Sequence, residues 1–160
     1  MSKREFTKVS PAIWRSNRFR KLASTDAQLL YLYFLTCEHQ NSAGCFRIPD
    51  GYACADLGWE PVRYTTARDA LVGGEMVSFD TDGEVIYIRR WFKHSPPMND
   101  KHAQGTRKLI AEIESDALRE AVEAEFEDAD LLRMKAVVEK ANADRNAGRA
   151  SAGYANGGIR

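Results

Sequence analysis

The chain has 160 residues, of which 44% are hydrophobic and 29% are charged, and this composition suffices for one packed domain with extensions. Its formal net charge is zero, so the total charge alone predicts no polyanionic partner. The charge is unevenly distributed, because residues 1–110 hold 16 Lys and Arg against 12 Asp and Glu, whereas residues 111–160 hold 7 against 11. Such asymmetry is expected when one end of a protein meets phosphate, although chance segregation on a solvated surface gives the same pattern.

The cysteines and the apolar runs bear on the cellular compartment. Cys37, Cys45 and Cys54 make an odd number, and no signal-peptide pattern follows Met1, so we expect reduced thiols. The longest apolar run, residues 29–35, is far too short to span a membrane. The sequence therefore predicts a cytoplasmic protein with no membrane partner.

The N-terminal part is basic and then helical. Residues 1–9 are interpreted as a flexible basic arm, of a kind that can follow DNA or simply remain disordered. Ser10 and Pro11 resemble a helix N-cap followed by proline at the first helical position. Trp14 in this helix is expected to be a core or interface anchor, with a base-stacking residue as the alternative. Residues 26–39 carry the strongest helical pattern, so this helix is expected at the centre of the core.

The middle of the chain carries the pattern around which the rest is arranged. Glycines end both of its helices, and Asp82-Gly83 is typical of a hairpin turn between its last two strands. Strand, helix, turn, helix, hairpin is the order of a winged helix-turn-helix, a DNA-binding module. The predicted fold is therefore α+β, mainly α: a winged helix-turn-helix with a small antiparallel sheet and a C-terminal helical extension. The predicted elements are residues 44–49, 50–57, 60–72, 76–79 and 84–90.

The second helix of a helix-turn-helix lies in the major groove, so we expect residues 61–72 to supply the contacts to bases. Arg63 is the best candidate for a guanine contact, because its planar guanidinium offers two donors. Basic residues around Trp91-Phe92 are candidates to hold a phosphate or stack on a base. The alternative interpretation is that residues 61–72 form an ordinary exposed helix. In that case Trp91 and Phe92 simply close the core. The predicted DNA-binding residues are Arg63, Tyr64, Thr65, Thr66, Arg68, Arg89, Arg90 and Lys93.

The predicted hairpin turn is acidic, which argues against simple DNA binding. Asp80, Asp82 and Glu84 lie where phosphate-binding wings usually carry Lys or Arg. If the turn lies near phosphate, neutralising these carboxylates should strengthen binding, because it removes a repulsion between like charges.

The C-terminal third is predicted as an appendage of the winged-helix domain, which spans residues 10–97. Residues 98–145 form the predicted helical extension, in which Ser115 could restart a second helix, and residues 146–160 are predicted to be disordered. Apolar residues at helical spacing are expected to pack against the domain or a second copy, with residues 109–138 as a possible surface for homo-oligomers. These apolar residues are Leu109, Ile110, Ile113 and Leu118.

No pattern in the sequence indicates catalysis, a cofactor or a metal. A phosphate-binding glycine loop and paired Cys-x-x-Cys elements are both absent. The acidic run at residues 123–130 is typical of a solvated helix face rather than an acid/base pair. We therefore expect a protein that is not an enzyme, with no catalytic residue, cofactor or metal ligand.

Several stretches resemble the N-terminal winged-helix domain of phage replication proteins, which are loosely related to DnaD-like primosome and helicase-loader proteins. The resemblance covers about residues 8–110, and the ending Trp-Phe-Lys-His-Ser-Pro-Pro is its most telling part. It implies a role in phage or plasmid DNA replication, with DNA binding or initiator assembly. The expected partners are duplex DNA and replication proteins. The matching stretches are residues 9–14, 26–35, 44–49, 55–59 and 91–97.

Three functions fit these observations. The first is a DNA-binding protein associated with replication initiation. The second is a transcriptional regulator of the same fold, which requires a palindromic operator and a stable dimer. The third is an interaction module whose winged helix binds another protein. Salt-dependent binding to DNA separates the third function from the first two.

Overall fold

The structure is a computed structural model that describes the backbone of residues 6–155 and the side chains of residues 6–147. It is mainly helical with a small three-stranded antiparallel sheet, which confirms that much of the predicted fold class. The elements in chain order are a 3₁₀-helix (Pro11–Arg15), α1 (Asn17–Arg20), α2 (Thr25–Thr36), β1 (Cys45–Arg47), α3 (Asp50–Leu57), α4 (Pro61–Gly73), β2 (Val77–Asp80), β3 (Val85–Ile88), α5 (Trp91–His94), α6 (Asp100–Ala111) and α7 (Asp116–Ala155).

Strand β3 is the centre of the sheet, whose order is β1-β3-β2. It pairs antiparallel on both sides, with Cys45 opposite Tyr87 and Val77 opposite Ile88. All four residues of β3 are buried, as expected for a strand that has neighbours on both edges and helices against its faces. The hairpin predicted around Asp82 is present between β2 and β3.

Helix α2 lies at the centre of the helical layer, as its sequence pattern predicts. The Ser24 side chain caps its first turn by accepting a hydrogen bond from the Ala27 N–H at 3.1 Å. Leu30 and Phe34 are completely buried, and α2 packs against α4. Trp14, by contrast with these core residues, is 63% exposed. It is therefore not a core anchor, which was one of its predicted roles.

A close approach at Gly44 joins the turn before β1 to helix α5. Gly44 adopts φ +63°, and a Cβ atom there would lie 2.2 Å from Cγ of Trp91. The Trp91 indole N–H donates to the carbonyl of Ser42 at 2.9 Å, which holds the ring in this position. Only glycine adopts this left-handed backbone conformation readily and also fits in the space beside Trp91.

The C-terminal helices belong to the core of the same chain. Ile110, Ile113 and Leu118 are buried in the single hydrophobic core, which confirms their predicted burial and locates it within the chain. Phe126 of α7 packs edge-on against Phe92 of α5, with ring centroids 5.2 Å apart. The extension therefore stabilises the sheet-bearing part of the molecule.

The predicted ends of the C-terminal helices need correction. A new helix does begin at Asp116, next to the possible restart at Ser115, and it continues without a break past the predicted end of the extension at residue 145. Residues 116–147 contain neither Gly nor Pro, so nothing interrupts the helix. The backbone is helical to Ala155, where disorder was predicted from residue 146, and residues 156–160 lie outside the described residues.

The N-terminal arm, predicted to be flexible, is described only in part. Residues 1–5 lie outside the described residues, and residues 6–9 have no regular secondary structure. Throughout the described ranges, no helix combines the length and apolar character that crossing a bilayer requires.

Gly44→Ala should destabilise the protein more than Gly58→Ala. Both glycines adopt φ +63°, so both substitutions incur the cost of a left-handed backbone, about 1–2 kcal/mol. Only position 44 lacks space, since nothing lies within 4 Å of a Cβ at Gly58. Overpacking against Trp91 should cost about 1–3 kcal/mol more in the free energy of unfolding, measured in urea. Equal losses for the two variants would show that the contact with Trp91 is not a constraint.

Candidate nucleic-acid interface

Arg63, the predicted guanine reader, is engaged within the protein. Its guanidinium donates to both carboxylate oxygens of Asp26, at 2.8 and 2.7 Å, and lies 4.4 Å from the ring centroid of Trp59. These hydrogen bonds hold the pKa of Asp26 below its usual value. The two-donor fork that a guanine would need is therefore occupied, and base reading would first require separation from Asp26.

Arg68 is a buried structural cation rather than a surface contact. Its side chain is 11% exposed and donates to both oxygens of Asp50, at 2.8 and 2.9 Å. The guanidinium also lies 3.9 Å from the ring centroid of Phe79. It thus connects α3, α4 and β2, and contact with a base or phosphate would first require separation from Asp50.

The remaining predicted residues of α4 are also poorly placed for DNA. Tyr64 is completely buried, which raises its pKa and removes it from any surface contact. The hydroxyl of Thr66 donates to the Val62 carbonyl at 2.7 Å, and that of Thr65 donates to the carbonyls of Val62 and Pro61, both at 3.1 Å. These threonine hydroxyls are therefore satisfied by the backbone of their own helix.

Two of the three acidic residues at the hairpin turn have local partners. Asp80 accepts hydrogen bonds from the backbone N–H groups of Asp82 and Gly83, at 3.0 and 3.2 Å, and so closes the turn. Glu84 forms an ion pair with Arg47 of β1 at 3.1 Å. Asp80 and Asp82 form no ion pair with another described residue, so these two carboxylates carry the unbalanced negative charge of the turn.

The predicted residues that follow β3 come together with two basic residues from the N-terminal segment. Five Lys and Arg line a cavity of about 310 Å³, and no Asp or Glu lines it among the described residues. We call these residues the cationic groove: Lys8, Arg18, Arg89, Arg90 and Lys93.

The side chain of Glu125 on α7 fixes the backbone that carries three of these cations. Its carboxylate accepts hydrogen bonds from the N–H groups of Arg90 and Phe92, at 3.2 and 3.1 Å, and from the hydroxyl of Tyr87. Arg90 adopts φ +62°, which turns the chain sharply from β3 into α5. Burial, together with the bond to Glu125, raises the pKa of Tyr87, so this hydroxyl stays protonated.

Most cations of the groove are available to an anionic ligand. Lys8, Arg90 and Lys93 form no ion pair with any other described residue. Arg18 donates to the backbone carbonyl of Glu75, and Arg89 lies 3.9 Å from the carboxylate of the same residue, at the outer limit for an ion pair. The groove therefore combines several positive charges with few internal partners, which is the electrostatic footprint of phosphate binding.

Sequence reasoning did not name Arg18 as a candidate contact, and it considered Lys8 only as part of the basic arm. The available signal was the run of seven basic residues within residues 1–21. It did not indicate that this segment lies against the chain after β3, because that contact joins residues about seventy positions apart.

The described residues offer little for catalysis or metal binding. Burial raises the pKa of the Cys45 thiol to about 12, which keeps it protonated and unreactive at neutral pH. Within the part of the chain that is described, no group of three His, Cys, Asp or Glu side chains could hold a metal ion. No protein-family model, curated protein or solved structure gives a match to this chain.

Arg68→Ala should lower the free energy of unfolding by about 1–3 kcal/mol, because it removes a buried cation and leaves Asp50 without its partner. Arg63→Ala is the matched control on the same helix and should change stability little, since its pair with Asp26 is exposed. Urea unfolding of both variants measures the difference. If Arg68→Ala is as stable as the parent and its DNA sequence preference is altered, Arg68 contacts bases and its structural role is wrong.

Proposed function

We propose that the chain is a DNA-binding winged-helix protein associated with phage or plasmid replication initiation. The cationic groove is the observation that carries DNA binding, because it gathers five Lys and Arg without a lining carboxylate among the described residues. Arg and Lys that lack internal partners supply the phosphate contacts that dominate affinity for DNA. The replication role rests on the resemblance of residues 8–110 to phage replication proteins.

The order of elements supports the winged-helix assignment. Strand β1 precedes helices α3 and α4, and the hairpin of β2 and β3 follows, as in that module. Strand β1 also pairs with the hairpin, which completes a three-stranded sheet. Helix α4 occupies the position of a recognition helix, yet its two arginines bind Asp26 and Asp50.

The proposed DNA contact therefore lies mainly on the cationic groove and not on α4. Arg89 and Arg90 follow the hairpin directly, and Lys93 lies in the only turn of α5. Positive charges at these positions would contact phosphates, which position a protein on DNA without reading its sequence. Low sequence preference suits a replication protein better than a transcriptional regulator, which must discriminate an operator.

Removing two groove cations should weaken DNA binding in a salt-dependent manner. For the double variant Arg90→Ala/Lys93→Ala, we expect lower affinity for every DNA sequence. The slope of log K against log salt concentration should become less steep by about one for each phosphate contact that is lost. Fluorescence anisotropy with labelled DNA, across a salt series, measures both quantities.

The double variant Lys101→Ala/Lys108→Ala is the matched control, because both lysines are exposed on α6 and lie outside the groove. It removes the same charge and should leave the salt slope close to that of the parent. DNA binding is not a function of the groove if both double variants lose affinity equally, or if the parent protein binds no DNA.

A second candidate function is self-association through the distal half of α7. Among residues 131–147, nearly every side chain is exposed, and four of them are large and apolar with 45–58% of their surface open to solvent. Their spacing of three and four residues aligns them along one side of the helix, a pattern typical of helix pairing. We call them the apolar stripe: Leu131, Met134, Val137 and Val138.

The charges along α7 favour an antiparallel pair of two copies. Residues 123–130 hold five Asp and Glu and no basic residue. Residues 131–147 hold four Lys and Arg against two acidic residues. An antiparallel arrangement would bring the acidic part of one helix beside the basic part of the other, which favours that orientation. Of the oligomer surface predicted at residues 109–138, Ile110, Ile113 and Leu118 lie in the core, whereas Leu132 and the apolar stripe are exposed.

Met134→Lys should convert a dimer into a monomer, because it places a charge in the middle of the apolar stripe. Ala136→Lys is the matched control, since Ala136 is also exposed on α7 but lies outside the stripe. Light scattering coupled to size exclusion gives the mass of each variant. Self-association through α7 is excluded if the parent protein is a monomer at high micromolar concentration.

A further inference from the structure

We propose that the cavity at the cationic groove accepts one unpaired nucleotide, so that the protein prefers single-stranded DNA to duplex. This inference rests on the proposed DNA-binding function and specifies the kind of DNA. It arises from the combination of a positively charged rim with an apolar interior. The interior, which we call the apolar floor, is formed by Ile13, Phe19, Tyr31, Met76, Ile88 and Trp91.

The cavity has the size and chemistry for a base with its phosphate. Its volume of about 310 Å³ falls within the range of small-ligand pockets, at the lower end. Ile13 and Tyr31, the half-buried members of the apolar floor, supply aliphatic and aromatic surface for a base. Lys8, Arg90 and Lys93 supply charge for the attached phosphates. A phosphate alone would need only the rim, and an apolar peptide would need no cluster of cations.

A paired base cannot use such a cavity. In a duplex the bases are stacked inside, and one must be extruded before a pocket can surround it, which costs a few kcal/mol. A single strand avoids most of that cost, since its bases are already unpaired. A duplex would therefore contact only the cationic groove, whereas a single strand would contact the groove and the apolar floor together.

Trp14 provides independent support beside the cavity. Its indole is 63% exposed and packs edge-on against Phe19 of the apolar floor, with ring centroids 5.7 Å apart. Most of its aromatic surface therefore remains open to solvent next to a positively charged groove. Exposed aromatic rings combined with such a groove are the usual design for binding single strands, because every base can stack on them. Trp14 is thus placed to stack on a base that neighbours the nucleotide in the cavity.

The test compares one fluorescein-labelled 12-nucleotide single strand with its duplex, by anisotropy across a salt series. We expect the single strand to bind at least tenfold more tightly than the duplex. Trp14→Ala should weaken single-strand binding roughly five- to a hundredfold and leave duplex binding nearly unchanged, because one stacking contact is lost. Trp14→Phe should retain most of the affinity, since a smaller aromatic face remains.

Ala12→Phe tests the cavity itself. Ala12 is exposed on the 3₁₀-helix and lines the cavity, so a larger side chain there can fill it without entering the core. This variant should lose the preference for single strands while keeping the duplex affinity of the parent. Quenching of the parent's tryptophan emission by the single strand, reduced in Trp14→Phe, gives a second readout. Thermal unfolding of each variant verifies that it is folded.

The outcomes separate this inference from the proposed function. If the duplex binds as tightly as the single strand, and Arg90→Ala/Lys93→Ala weakens both, the proposed DNA-binding function holds and the nucleotide pocket is wrong. If Trp14→Ala and Ala12→Phe, both folded, leave single-strand affinity unchanged, the pocket is again wrong. If neither form of DNA binds at low salt, both the pocket and the proposed function fail.

Discussion

The carboxylate of Glu125 determines how the two halves of the chain fit together. It bonds to the Tyr87 hydroxyl of β3 and to the N–H groups of Arg90 and Phe92, so one side chain of α7 holds both the end of the sheet and the start of α5. These two N–H groups would otherwise lack partners at the first turn of a helix, and a carboxylate is the acceptor that such a terminus favours. The bond from the Arg90 N–H lies at the left-handed turn, and that turn positions three of the groove cations, Arg89, Arg90 and Lys93. The C-terminal extension is therefore part of the candidate interface, although it contributes no cation to the groove.

The positive charges of the molecule divide into two groups with different physical roles. Arg63 and Arg68 lie on the helix that the sequence favours for reading DNA, but aspartates and aromatic rings of the same chain already bind them. Freeing Arg68 would break the ion pair that its largely buried guanidinium makes with Asp50, which is costly. The groove cations have few internal partners, so they can bind a ligand without breaking the fold. A cation is a candidate DNA contact when it lacks a strong partner within the protein. Its position in the helix-turn-helix pattern does not decide this.

Local signals in the sequence predicted much of the architecture, but they did not predict the contacts between residues that are distant in the sequence. The hairpin follows from Asp82-Gly83 and the start of α2 from Ser24, because each feature involves only a few neighbouring residues. The pair between Arg63 and Asp26 joins positions 37 apart, and the bond from Tyr87 to Glu125 joins positions 38 apart. No spacing rule indicates such partners, so Arg68 and Tyr64 were predicted as surface contacts and Trp14 as an anchor. The length of α7 was predictable in principle, since residues 116–147 lack any helix breaker.

The location of the DNA contact can be measured directly by NMR titration of the ¹⁵N-labelled protein with a short single strand. If the cationic groove is the interface, the largest shifts will occur at the amides of residues 12–19 and 88–95, and those of α4 will shift little. Shifts concentrated instead at residues 61–73, with the groove unperturbed, would show that α4 binds DNA despite its internal ion pairs, and would contradict the assignment of the interface to the groove.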